Sequence, residues 1–217
     1  MPRTRSSRAR GFTLLEVVIV LALFGAMTGS VVSVVRNCTR TCQVVSTSGQ
    51  LEAAASRVLD KIADRLQASA HTTITPSLSA PFSSSRIDFQ RSTGYVGGAT
   101  TWSPTERIAF QYRPGEINDG LDNDRDGIAD DGQVVWIEDL GLASQRTMRW
   151  ADGVTEYLQG ETLNNKDDNG NGLIDETGLC FTVNSSSVLV CLTLRARSAN
   201  GTFVTRTAQK RVFFRNR

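Results

Sequence analysis

GFTLLEVVIVLALFGAMTGSVVSVV, Gly11–Val35, decides how this chain is built. Arg3, Arg5, Arg8 and Arg10 precede it with no acid among them, and Glu16 is the one charge inside it. At about 1.5 Å rise per residue, a helix of this length crosses a ~30 Å hydrocarbon core. The basic flank predicts that residues 1–10 stay in the cytoplasm and that everything after Val35 lies on the other side. A carboxylate within such a span is costly, so Glu16 needs a partner.

A secretory signal is cut after its apolar region, at small residues. Here the change of character falls before that region, between Gly11 and Phe12. A short basic leader followed by Gly-Phe-Thr-Leu-Leu-Glu at the head of an apolar helix resembles the type IV prepilin signature. The resemblance implies that prepilin peptidase cleaves between Gly11 and Phe12 and that Phe12 is N-methylated. It also implies that Glu16 pairs with the terminal amine of a neighbouring subunit as a filament assembles. The implied location is the bacterial inner membrane, single-pass, with the C-terminal domain in the periplasm and later in a filament. The implied partners are other pilin or pseudopilin subunits, the peptidase and methyltransferase, and an inner-membrane assembly platform.

The formal charge of +2 is carried by the leader; beyond it, 20 Lys and Arg face 22 Asp and Glu. That balance argues against a polyanion partner such as nucleic acid. Arg206, Lys210, Arg211, Arg215 and Arg217 form the one local basic run, read as solvated strand and tail positions. Cys38, Cys42, Cys180 and Cys191 fall in a segment facing an oxidising compartment, where local disulfides are the candidates. A turn at Ser185-Ser186 would set Cys180 opposite Cys191. Cys38 and Cys42 share a helix face but bridge poorly there. One histidine, His71, and no close Cys-x-x-Cys spacing argue against zinc.

Downstream, Leu51, Ala54, Ala55, Val58, Leu59, Ile62 and Leu66 recur at three- and four-residue steps. That stripe predicts an amphipathic helix packed on a domain, with one helix from Thr13 to about Ala68 and a bend near Thr41–Gly49. After the Ser/Thr/Pro-rich segment 71–85, strand-like runs are expected at 107–112, 133–138, 154–158, 179–183, 188–194, 202–205 and 211–214. The predicted class is α+β, a long N-terminal helix on an antiparallel β-sheet domain with two inserted acidic loops. Residues 1–11 are the leader, 12–35 the membrane helix, 36–70 the amphipathic helix and 71–217 the β-rich domain. This layout is similar to pilins and pseudopilins. Ala55–Leu66 and the closing Arg211–Arg217 resemble J-type minor pseudopilins of type II secretion and related W-type minor pilins.

A second feature is internal repetition. Tyr112-x-x-Gly115-Glu116 recurs 45 residues later as Tyr157-x-x-Gly160-Glu161. In the same register Asp122-Asn-Asp-Arg-Asp126-Gly-Ile-Ala-Asp130-Asp131 matches Asp167-Asp-Asn-Gly-Asn171-Gly-Leu-Ile-Asp175-Glu176. Oxygens at alternate positions of a tight loop converge on one point, glycine at the sixth permits the turn, and the seventh adds its carbonyl. Asp122, Asp124, Asp126, the Ile128 carbonyl and Asp130 form one such set; Asp167, Asn169, Asn171, the Leu173 carbonyl and Asp175 form another. The loops, 118–132 and 163–178, resemble the first half of an EF-hand. They depart from it at position twelve, where Gln133 and Gly178 replace the bidentate Glu, leaving Asp131 and Glu176 as substitutes. Two structural calcium ions are expected. Charge ranks the first loop above the second, and the apolar residue at position eight, Ala129 or Ile174, is expected in the core.

These readings converge on a structural subunit, a minor pseudopilin or minor pilin stabilised by calcium. The alternative is a recognition pilin binding DNA, a surface or a secreted substrate, for which Tyr95, Trp102 and Trp150 are the available aromatics. No nucleophile elbow or phosphate-cradling glycine loop occurs, so an enzyme is not expected.

Overall fold

The computed structural model describes residues 13–215. The leader arginines, Gly11, Phe12 and Arg217 lie outside the described residues. The chain divides into two compact units, one ending at Gln43 and one beginning at Val44.

Helix α1 (Leu14–Leu66) makes up the described part of the first unit and opens the second. Residues 41–49, where a bend was expected, are helical throughout. A reciprocal cap starts the helix. The Glu16 N–H donates to Thr13 Oγ1 at 3.3 Å, and the Thr13 N–H and hydroxyl donate to Glu16 Oε2 at 3.1 and 3.2 Å. This Thr-x-x-Glu box satisfies orphan donors of the first turn, and the helix N-terminus favours the negative charge held there. Further along, the hydroxyls of Thr28, Ser30, Thr39 and Thr41 donate to carbonyls four residues back, at 2.8–3.0 Å. Hydroxyls turned inward in this way leave the apolar surface unbroken. The helix is long and apolar enough to cross a membrane, and its first buried residue is Leu51.

In the second unit, Leu51, Ala55, Val58, Leu59, Ile62, Ala63 and Leu66 are buried. They follow the stripe read from the sequence, with Ala63 added and Ala54 only half-buried. They pack on an antiparallel sheet in the order β1-β4-β5-β6-β8-β7, with β9 on β8. The strands are β1 (Arg86–Phe89), β4 (Glu106–Tyr112), β5 (Gly132–Glu138), β6 (Arg146–Val154), β7 (Leu179–Val183), β8 (Ser187–Arg197) and β9 (Phe203–Phe213). A separate hairpin pairs β2 (Ser92–Val96) with β3 (Ala99–Trp102). Its two-residue turn is Gly97-Gly98, and both φ angles are positive, as a twisted hairpin requires. Ile87, Phe89, Ile108, Val134, Trp136 and Leu192 meet the helix stripe in one core.

Several expected strand boundaries move. Residues 202–205 and 211–214 are two ends of one strand, because the polar middle of β9 lies on a full-length ladder with β8, from Ser187↔Phe213 to Arg197↔Phe203. An edge strand tolerates a polar outer face. Residues 154–158 hold only the end of β6, which begins at Arg146 and presents mostly exposed side chains. β1 to β3 are short and polar enough to read as loop.

The basic run at the C-terminus does more than face solvent. Arg206 Nε donates to Ser48 Oγ at 2.6 Å, Lys210 Nζ to Asp60 Oδ1 at 2.5 Å and Arg215 NH2 to Gln67 Oε1 at 2.9 Å. Two cations of β9 thus reach the amphipathic half of α1, and Arg215 reaches Gln67 just past its end. Arg211 is exposed. On the other side of the core, the Glu106 carboxylate is buried and accepts from Trp136 Nε1 at 2.8 Å and from Arg91 Nε. Arg65 of α1 stands 3.9 Å from the same carboxylate and lies over the Trp136 ring.

Candidate functional site

The two acidic loops are each closed at the base by a backbone pair, equivalent in the repeat. Tyr112 pairs with Gly132 at the base of the first, and Tyr157 with Thr177 at the base of the second, in the same 45-residue register. Their backbones match position by position. Positive φ occurs at Gly115, Gly120, Arg125, Gly127 and Asp130, and again at Gly160, Asn165, Gly170, Gly172 and Asp175. Left-handed conformations favour Gly, Asn and Asp, which is why composition and repeat were both legible.

The hydrogen bonds repeat as well. The first-position carboxylate accepts from the glycine N–H at position six, through Asp122 Oδ2 and Asp167 Oδ2, both at 2.8 Å. The third-position side chain accepts from the fifth N–H, at 3.1 Å for Asp124 and 3.0 Å for Asn169. The fifth accepts from the seventh, at 2.9 Å for Asp126 and 2.8 Å for Asn171. Each side chain thus spends one oxygen on the loop, or both in Asp167. Asp122, Asp124 and Asp126 each present a carboxylate oxygen to a common point, within 4.8 Å of one another.

The ninth position behaves differently from the sequence reading. Asp130 uses both carboxylate oxygens on the N–H groups of Asp119 and Gly120, at 3.1 and 2.9 Å. Asp175 does the same for Asn164 and Asn165, at 2.8 to 3.0 Å. These carboxylates brace the loop entrance through both of their oxygens. Two glutamates not in the predicted sets approach instead. Glu116 Oε1 accepts from the Asp124 N–H at 2.6 Å, and Glu161 Oε1 from the Asn169 N–H at 2.9 Å. Glu116 also groups with Asp124 and Asp131, their oxygens within 4.8 Å. The signal was in the repeat itself, since Tyr-x-x-Gly-Glu carries these glutamates in both copies.

Asp131 and Glu176, the substitutes for the missing twelfth ligand, are fully buried. Each has one oxygen with no hydrogen-bond partner, Asp131 Oδ1 and Glu176 Oε2; Asp122 Oδ1 and Glu161 Oε2 are likewise unpartnered. Burial pushes the Asp131 carboxyl up to about 6, against the lowering effect of Arg113. Burial also raises Glu161, partly offset by the Asn169 N–H and reinforced by the nearby charge of Glu176. Buried carboxylate oxygens without donors are costly, and a hard cation with six to eight oxygen ligands supplies what they lack. The residues present fit such an ion.

The apolar residue under each loop is the seventh. Ile128 and Leu173 are buried, whereas Ala129 is exposed and Ile174 half-buried. The flanks are strands here, β5 beginning at Gly132 and β7 at Leu179, and it is position seven that lies under the loop.

Cys180 and Cys191 sit opposite each other on β7 and β8, joined through the Ser185-Ser186 turn. Both are buried thiols packed with Leu158. Their mutual hydrogen bond, and then burial, hold the Cys180 thiol well above the usual range. Cys38 and Cys42 are exposed thiols on α1. His71 packs edge-on against Phe214 and meets Ser77 at 3.3 Å. Of the aromatics available for recognition, Trp150 stacks on Trp136, Trp102 is half-buried and Tyr95 is exposed on the β2–β3 hairpin.

A family model for the prokaryotic N-terminal methylation motif matches residues 6–32. The amino-terminal segment is type IV prepilin-like. It joins the apolar half of α1, which fits anchoring in a membrane through the N-terminus. The motif points to a structural, pilin-like subunit, of a kind that assembles with other such subunits. No curated protein and no solved structure matches the chain.

Proposed function

We propose that this chain is a minor pseudopilin or minor pilin, similar to the J-type and W-type subunits, stabilised by calcium. The observation that carries the reading is the methylation motif at residues 6–32 running straight into a helix whose first buried residue is Leu51. Residues 1–11 are removed, Phe12 is methylated, and the apolar helix is held in the inner membrane until it joins a type IV pilus-like or type II secretion filament. There it lies among sister helices. Glu16, capped by Thr13 in the single chain, exchanges that contact for the amine of a neighbour's first residue and so sets register. The sheet unit lies in the periplasm and contacts sister subunits or cargo.

Calcium in the two loops completes the reading. Asp122, Asp124, Asp126, the Ile128 carbonyl, Asp131 and Glu116 would hold one ion. Asp167, Asn169, Asn171, the Leu173 carbonyl, Glu176 and Glu161 would hold the other. The four unpartnered buried carboxylate oxygens support this. The role is structural, since binding free energy becomes folding free energy for loops that pack little side chain of their own.

Co-expression of the full chain with a prepilin peptidase tests the reading. Intact mass should show loss of residues 1–11 and one added methyl group, with Gly11→Val blocking both changes. A chain that keeps its leader, or is cut after Val35, would sink it.

A further inference from the structure

The two loops share a backbone but differ at one side chain that the repeat places beneath each of them. In the first it is Arg113; 45 residues on, in the second, it is Leu158. Arg113 NH1 sits among three carboxylates, 3.4 Å from Asp124 Oδ2 and 3.2 Å from Asp131 Oδ2, and paired with Asp126 Oδ2. A single guanidinium nitrogen therefore stands where the oxygens of positions three and five and the Asp131 carboxylate meet. Leu158 instead packs on Cys180 and Cys191 and brings no charge.

The second loop has only a neutral donor in that place. Asn171 Nδ2 donates to Glu176 Oε1 at 2.5 Å, while Glu176 Oε2 and Glu161 Oε2 remain without partners in buried side chains. Among the described residues, no Lys or Arg forms an ion pair with Glu161, Asp167, Asp175 or Glu176. In the first loop Asp122 Oδ1 and Asp131 Oδ1 are also unpartnered, but the other Asp131 oxygen is paired with Arg113, and both oxygens of Glu116 are taken, by the Asp124 and Asp130 N–H groups. An open cleft lined by Leu158, Gly160, Asn169, Asn171 and Thr207 gives solvent access to the second loop.

We propose that Arg113 is an internal counter-cation of the first loop, and that the second loop, through Glu161, Glu176, Asp167, Asn169 and Asn171, is the tighter divalent-cation site. This rests on the calcium reading above and reverses the ranking that charge alone suggests. A cation entering the first loop must displace a guanidinium shared by three carboxylates, and hydrogen bonds to charged groups are roughly twice as strong as neutral ones. In the second loop it meets neutral N–H donors and no cation, and it neutralises carboxylates that no Lys or Arg pairs with. The hard oxygen set selects calcium over softer ions.

Calorimetric titration of the full chain in detergent micelles with Ca²⁺, after chelation, tests this. The wild type should show two phases, the tighter lost in Glu176→Gln and kept in Asp124→Ala. Arg113→Leu, which installs the residue of the second loop, should tighten the weaker phase about tenfold or more. Arg113→Gln should do the same if the leucine variant fails to fold by circular dichroism. If Asp124→Ala removes the tighter phase, or if neither Arg113 variant moves the weaker one, the inference is overturned and the calcium reading stands. If neither wild type nor variants bind calcium, both fall.

Discussion

Single side chains decide how firmly the sheet unit is closed around buried charge. Glu106 is held by Arg91, Trp136 Nε1 and the more distant Arg65, and its removal leaves those donors facing an apolar core. Breaking a buried pair costs ~3–5 kcal/mol, and because both arginines are about one-third exposed they partly recover water, so Glu106→Ala should cost about 3 kcal/mol by urea unfolding. An unchanged midpoint would show that the carboxylate is not used. Gly178 is a second sensitive position. A Cβ there would run into the Thr155 carbonyl, on a segment whose N–H donates to Glu156 at 2.9 Å. Overpacking costs ~1–3 kcal/mol, so Gly178→Ala should destabilise by that amount, with the second loop's cation affinity falling alongside. Gly178 lies between the second loop and β7, where backbone register and ligand placement are one problem.

At the scale of elements, the helix divides by what it touches. Ile62 is fully buried against the sheet, and truncating a buried aliphatic residue costs ~2–5 kcal/mol, so Ile62→Ala should lower the sheet unit's stability by that much. Val20 is exposed, and Val20→Ala should leave the unfolding midpoint of the sheet unit within error. A shift in the second variant comparable to the first would mean the apolar half also packs on its own chain. The Lys210–Asp60 tie between β9 and α1 is exposed on both sides. Exposed pairs contribute ~0–1 kcal/mol, so Lys210→Ala should be nearly silent in thermal melts. The helix is held to the sheet by its stripe, and the cations of β9 trim its position.

For the whole molecule, the loops link the sheet to the ionic composition around it. The first starts and finishes on paired strand residues, Tyr112↔Gly132, and the second on the bridge Tyr157↔Thr177 between β6 and β7, so ordering a loop orders the strands it joins. A ligand at a hundred times its Kd adds about 2.7 kcal/mol to the folded state. Chelation of the full chain should therefore lower the Tm of the sheet unit by several degrees, restored by calcium and far less by magnesium. A Tm indifferent to chelator would mean that the loops are closed by their own hydrogen bonds alone.

Local rules made much of this visible in the chain itself. The apolar run after four arginines, the three- and four-residue stripe from Leu51 to Leu66 and the 45-residue repeat all depend on spacing between near neighbours, which a sequence displays directly. The Thr13-x-x-Glu16 cap is equally local. What needed the tertiary structure was pairing over distance. β9 is one strand only because β8 pairs with all eleven of its residues, the polar middle included. Arg206, Lys210 and Arg215 are tethers only because a helix about 150 residues earlier lies beside them. Asp130 and Asp175 are braces because the loop entrance folds back onto them. Arg113 counts as a cation for the first loop because strand and loop converge in space, whereas charge summed along the sequence placed all that acidity without its counter-ion.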